Sequence, residues 1–173
     1  MAQRTDIFSL GRLGLSSGEG RRLDLHATLE PFELGGTMYT PSPAAVPVRL
    51  DVSRTTGNGY ALRLRFSAAL EGPCMRCLEP AAPVFEIDAR EVNQPGGGDE
   101  LRSEYVGEDD DLDLRAWVRD AFALAALPGQ ITCRPDCKGL CPRCGANLND
   151  DPDHAHEAEP DPRWAKLSEI KFE

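Results

Sequence analysis

Val46-Pro47-Val48-Arg49-Leu50-Asp51-Val52 and Leu62-Arg63-Leu64-Arg65-Phe66 alternate apolar and polar residues, with Gly57-Asn58-Gly59 between the two runs. A period of two puts the apolar residues of each run on one side of a strand. The Gly-Asn-Gly insert supplies residues that tolerate the positive φ of a tight hairpin turn. Leu23, Leu25, Ala27 and Leu29 repeat the pattern upstream, and Phe85, Ile87 and Ala89 repeat it downstream. Four such runs predict a mainly antiparallel β-domain over residues 1–95, one face on a core and the other in water.

The same alternation sends Arg49, Arg63 and Arg65 to the face away from the core. Three arginines on one sheet face are candidates for contact with RNA phosphate. The competing expectation is a solvated face whose arginines pair with Asp51 and neighbouring acids.

After residue 95 the composition changes. Pro95-Gly96-Gly97-Gly98-Asp99-Glu100 and Glu108-Asp109-Asp110-Asp111 mark 96–113 as an acidic linker or loop. Leu114, Val118, Ala121, Phe122 and Ala125 then recur at helical spacing. They predict a helix over 114–129 that packs on the sheet, capped by Asp111 or Asp113 and stopped by Pro128-Gly129. A second acidic stretch, broken by proline, leads through a tail over 151–173, where Trp164, Leu167 and Ile170 predict a short terminal helix.

The densest chemical signal is Cys133-Arg-Pro-Asp-Cys137-Lys-Gly-Leu-Cys141-Pro-Arg-Cys144-Gly145, four thiols within twelve residues. Cysteines two or three residues apart reach one tetrahedral zinc ion if the backbone turns tightly between them, and Gly139 and Gly145 stand where such turns need relaxed φ limits. Residues 130–150 are therefore expected to form a four-cysteine zinc-knuckle module with one structural Zn2+ on Cys133, Cys137, Cys141 and Cys144. The fold class expected for the whole is α+β: an antiparallel β-domain, a packed helix and this C-terminal module.

A second pair, Cys74-Met75-Arg76-Cys77, reads three ways: a second half-site meeting the distal cysteines in space, a redox dithiol, or two small buried residues. A redox thiol is usually activated at a helix N-terminus. Strand-like residues and Gly72-Pro73 precede this pair and no helix pattern follows it, which disfavours that role. His154 and His156 stand as reserve metal ligands or as solvated tail residues.

At 173 residues the chain fits one domain, or one domain plus a small appendage, without a disulfide scaffold. It is 40% apolar and 28% charged, and no apolar run approaches the ~20 residues of a membrane-spanning helix. Met1-Ala-Gln-Arg-Thr-Asp6 leads into no apolar signal core, so the expectation is a cytoplasmic protein whose thiols are reduced or bind metal. The net charge of −10 argues against indiscriminate nucleic-acid binding, and any RNA contact has to be local. The sequence carries no phosphate-cradling glycine motif and no serine elbow, and its carboxylates fall in runs. A non-enzymatic protein without a small-molecule substrate is expected.

The chain resembles the YceD family, also called domain of unknown function 177. The resemblance rests on Cys74-Met-Arg-Cys77-Leu-Glu-Pro80, on Asp113-Leu-Arg-Ala-Trp-Val-Arg-Asp120, on Cys133 to Gly145 with Asn147-Leu-Asn149 behind it, and on Asp161-Pro-Arg-Trp-Ala-Lys-Leu167. It implies a bacterial factor needed for the synthesis, processing or stability of 23S rRNA, working on large-subunit RNA or a precursor particle, directly or through a basic ribosomal protein. Many members with the Lys-Gly-Leu-Cys motif carry Cys-x-Cys after Asn-Leu-Asn, where this chain has His154-Ala155-His156. Other members lack the distal cysteines, which implies that any zinc is structural. Two rival expectations stand beside this one: a zinc-containing nucleic-acid-binding regulator, and a thiol oxidoreductase using Cys74 and Cys77.

Overall fold

The computed structural model describes residues 6–126 and 129–157. Its centre is the hairpin expected from the alternating runs. Strand β5 (Ala45–Arg54) turns through Gly57 and Asn58, at φ 78° and 63°, into the long β6 (Tyr60–Pro73), in a register that pairs Leu50 with Leu64 and Asp51 with Arg63. The outer neighbours also run antiparallel: β2 (Gly20–Thr28) pairs with β5, and β8 (Val84–Asn93) pairs with the free edge of β6. Short strands β3 (Phe32–Leu34), β4 (Thr37–Ser42) and β7 (Pro80–Ala81) complete a seven-stranded antiparallel sheet. These three are too short, and in β4 and β7 too rich in proline, for alternation to reveal them.

On the inner face Val46, Val48, Leu50, Val52, Leu62, Leu64 and Phe66 are buried, as a period of two requires. Helix α1 (Leu114–Ala126) covers them with Trp117, Val118, Ala121 and Phe122. Phe122 is the hub, its ring 5.8 Å from Phe32, 6.5 Å from Phe66 and 5.8 Å from Phe85 edge-on. The cap is Asp113, whose Oδ1 accepts the Ala116 N–H at 2.9 Å, while Asp111 is taken up in strand pairing with Ser9. Leu127 and Pro128 lie outside the described residues, as does the helix expected near Arg163–Ile170.

The acidic segment 96–113 is tied to the body. Its last residues form β9 (Asp111–Asp113) against β1 (Ile7–Ser9), and Leu112 between the two acids is fully buried. Asp110 accepts the Tyr60 hydroxyl at 2.9 Å, and Arg54 lies over the Tyr60 ring. Of the expected linker or loop this is a loop held against the sheet, for Tyr105 also stacks on Trp117 at 6.1 Å and Val106 bridges to Leu112.

On the outer face Arg49, Arg63 and Arg65 stand together, with Arg49 directly opposite Arg65. Each is engaged by a carboxylate: Arg49 with Asp24 at 3.3 Å, Arg63 with Asp88 at 2.5 Å and Arg65 with Asp51 at 2.5 Å. Asp51 also takes Arg22 at 2.7 Å. A phosphate on this face has to displace those carboxylates. No helix among the described residues is long and apolar enough to cross a membrane.

Candidate metal centre

Strand β6 runs out at Gly72-Pro73 and delivers Cys74 and Cys77 into a tight turn, in which Leu78 N–H bonds back to Cys74 O. Beyond α1 the chain returns along this turn. Met75 N–H donates to Ile131 O at 2.8 Å, and Leu140 N–H donates to Arg76 O at 3.0 Å. These two bonds lay Cys133 and Cys137 over Cys74 and Cys77. Gly139 permits the approach: its φ is +80°, and a Cβ there would stand 3.0 Å from Arg76 O.

The result differs from the single set expected over Cys133, Cys137, Cys141 and Cys144. The structure does not gather those four around one point. Cys133 and Cys137 join Cys74 and Cys77, while Cys141 and Cys144 join His154 and His156, the ligand atoms of each group lying within 4.8 Å of one another. The reason is the Leu140 to Arg76 bond: it seats the first pair on the β6 turn, and the chain leaves toward its own second knuckle at Cys141. Cys74 and Cys77 thus meet the first pair of distal cysteines in space, and the two histidines face thiols.

Tetrahedral metal–sulfur bonds of about 2.3 Å put neighbouring sulfurs about 3.8 Å apart. Cys74 Sγ lies 3.8 Å from Cys137 Sγ, and Cys77 Sγ lies 3.6 Å from Cys133 Sγ. These separations fit ligands of one ion and are far longer than a disulfide bond. In the second group Cys141 Sγ is 3.2 Å from His156 Nε2, Cys144 Sγ is 3.2 Å from His154 Nε2, and the two Nε2 atoms are 3.0 Å apart. Asp151 Oδ2 stands 3.5 Å from His154 Nδ1, the place from which a carboxylate orients a ligating imidazole. Both groups can hold a metal ion.

The thiols are prepared unequally. Burial opposes ionisation of Cys74, but the N–H groups of Cys77, Arg76 and Cys133 outweigh it and bring the thiol down to about 6. At Cys77 the Glu79 N–H favours the thiolate, yet burial and the thiols of Cys137, Cys74 and Cys133 prevail and push it up to about 12. Cys141 is drawn down to about 6, chiefly by the N–H groups of Arg143 and Cys144. Crowded sulfurs that resist ionising together are what a divalent cation relieves.

Two residues escaped the sequence reading. Asn149 Nδ2 donates to Cys137 Sγ at 3.5 Å while its Oδ1 accepts Lys138 N–H at 2.8 Å, and Asp151 backs His154. Asn149 carried a signal only as part of Asn147-Leu-Asn149, and Asp151 was hidden among the acids of the tail.

With this arrangement in place, comparison with known proteins adds the family. Residues 62–171 match the family model described as large ribosomal RNA subunit accumulation protein YceD. The chain belongs to the YceD family. An uncharacterized protein of Mycobacterium tuberculosis is 35% identical to this YceD-family chain over 172 residues, covering 95% of it and 79% of the relative. An uncharacterized protein of Mycobacterium leprae is 33% identical, covering 95% and 76%. A maize protein named large ribosomal RNA subunit accumulation protein YCED homolog 1, chloroplastic, is 28% identical, with 86% of this chain and 60% of the maize chain aligned. No solved structure matches. The YceD match begins two residues into β6 and takes in the rest of that strand, β7, β8, β9, α1 and all eight candidate ligands, so both candidate metal groups lie within the part that defines the family.

Proposed function

We propose that this protein supports the accumulation of 23S rRNA in a bacterial cytoplasm, as a non-enzymatic factor acting on large-subunit precursors, with zinc as the structural metal of both cysteine groups. The family match carries the ribosomal part of this reading. The maize relative's name points the same way. The zinc part is supported by the donor sets. Four thiolates in one group, and two thiolates with two imidazoles in the other, are closed tetrahedral sets of the kind that structural zinc takes.

A closed set leaves no open position for substrate, and the cysteines best placed for thiol chemistry face other thiols at tetrahedral spacing. This favours the structural reading of Cys74 and Cys77 over a thiol oxidoreductase. The sheet arginines are paired with carboxylates, so partner contact through a basic ribosomal protein is the simpler route for a chain of net charge −10.

The test is depletion of the protein in its host, with quantification of mature and precursor 23S rRNA against 16S rRNA, and of bound zinc in the purified full chain. The expected result is a selective fall in 23S rRNA, restored by the wild-type chain. Unchanged 23S levels overturn the ribosomal reading. A parallel comparison of binding to duplex DNA and to ribosomal RNA across salt concentrations tests the regulator alternative, which requires the DNA to bind.

A further inference from the structure

The two metal groups differ in ways that govern how an ion enters and leaves. The four-thiolate group joins segments more than fifty residues apart, and Cys74, Cys77 and Cys137 are buried. Its ligands sit in backbone bonded to the folded body, through Cys74 N–H to Glu79 O at 2.7 Å and Met75 N–H to Ile131 O. Cys133 is the exposed ligand of the four, so an ion here is reached from one side and held by three buried thiols. In the second group all ligands fall between residues 141 and 156, and Cys144 and His156 are exposed. It has two thiolates in place of four, and its bracing is local: Gly145 N–H to Cys141 O, Cys141 N–H to Ala146 O and His154 N–H to Asp151 O.

One residue links them. Asn149 lies in the loop between Cys144 and His154, and it is pinned to the first group by its bonds to Cys137 Sγ and Lys138 N–H. Leu148 N–H adds a bond to Gly139 O at 2.9 Å. The loop that must bring the histidines back to Cys141 and Cys144 is therefore anchored on the first group, while Cys74, Cys77 and Cys137 are also held by backbone bonds to the folded body and to their own turn, through Cys74 N–H to Glu79 O, Leu78 N–H to Cys74 O and Cys137 N–H to Arg134 O.

We propose that the chain holds two ions bound in order: the group of Cys74, Cys77, Cys133 and Cys137 fills first and retains its ion, and the group of Cys141, Cys144, His154 and His156 fills on that foundation and exchanges with free zinc. The first group then staples the fold, joining the β6 turn to the segment beyond α1. This deepens the zinc reading above and is independent of the ribosomal one.

The test is anaerobic titration of the metal-free full chain with cobalt(II), whose thiolate charge-transfer band scales with the number of sulfur ligands, followed by chelator challenge of the zinc-loaded chain. The first equivalent is expected to give a four-thiolate band and the second to add about half as much, and the chelator should remove one ion at least ten-fold faster than the other. His154→Ala with His156→Ala should leave one ion with the four-thiolate signature, whereas Cys77→Ser should weaken both. Because Cys77→Ser acts on a buried ligand and can unfold the chain, Asn149→Ala provides the second measurement. It removes no ligand, and because the second group's loop hangs on it whereas the first group keeps its backbone bonds to the body, it should weaken the second equivalent at least three-fold more than the first. A first equivalent with a two-thiolate band, equal release of both ions, or an unaltered second equivalent in Asn149→Ala overturns the order and leaves zinc binding intact. Failure to bind either metal overturns the zinc reading as well.

Discussion

Leu78 and Gly145 occupy the same position in two copies of one five-residue turn. Leu78 N–H bonds to Cys74 O at 3.0 Å with φ 64°, and Gly145 N–H bonds to Cys141 O at 2.8 Å with φ 75°. Cys74-Met-Arg-Cys77-Leu78 and Cys141-Pro-Arg-Cys144-Gly145 are thus equivalent knuckles, each presenting a pair of cysteines to one candidate metal group. The first knuckle places a leucine, 67% exposed, in a backbone region that suits glycine.

Relieving that leucine should stabilise the protein. Leu78→Gly removes an αL cost of about 1–2 kcal/mol and loses part of it to the greater freedom of the unfolded chain. A net gain of about 0.5–1 kcal/mol is expected in urea unfolding of the metal-loaded protein. Destabilisation would show that Leu78 makes a contact worth more than its strain.

Gly139→Ala should do the opposite. The added Cβ meets Arg76 O at 3.0 Å and Arg76 Cβ at 3.3 Å, in a residue whose φ is +80°. A loss of at least about 1–2 kcal/mol is expected, with weaker metal retention. Limited proteolysis should show new cleavage between residues 130 and 157 before any in the sheet.

Phe122→Ala removes the ring on which Phe32, Phe66 and Phe85 converge. A buried phenylalanine deleted from such a cluster costs about 3–5 kcal/mol. Unfolding by urea should show a loss in that range, and a loss below about 1 kcal/mol overturns the role of Phe122 as the hub between helix and sheet.

The outer sheet face predicts an acid-dependent contribution. The side-chain bond from Arg22 lowers the Asp51 pKa below its ordinary value of 3.8, against a smaller opposing effect of burial and with help from Arg65. A depressed carboxylate stabilises the fold fully above its unfolded pKa, and this contribution is lost as pH falls through the lower folded value. Wild type should exceed Asp51→Asn by about 0.5–1 kcal/mol at neutral pH, a discounted figure for a partly exposed pair. The gap should hold down to about pH 4 and close below it. A gap that widens on acidification would contradict the assignment.

What the sequence determined alone is what local period and spacing encode. Alternation at Val46–Val52 and Leu62–Phe66 sets strands that bury one face, and Gly57-Asn58 closes the hairpin wherever those strands pair. Helical spacing from Leu114 to Ala125 sets α1, and an acidic side chain one residue before it supplies the cap. Cysteine spacing likewise shows that each short pair can turn toward a metal. It does not say which pairs meet, because a tetrahedral set needs four donors about 3.8 Å apart, and each pair supplies half of one. The pairing was decided by tertiary contacts between distant segments: Met75 with Ile131, Arg76 with Leu140, and Asn149 with Cys137. The place of the acidic segment was decided in the same way. Leu112 pairs with Phe8 of β1, a hundred residues earlier, and its burial together with the packing of Tyr105 and Val106 outweighs the solubility of the acids around them.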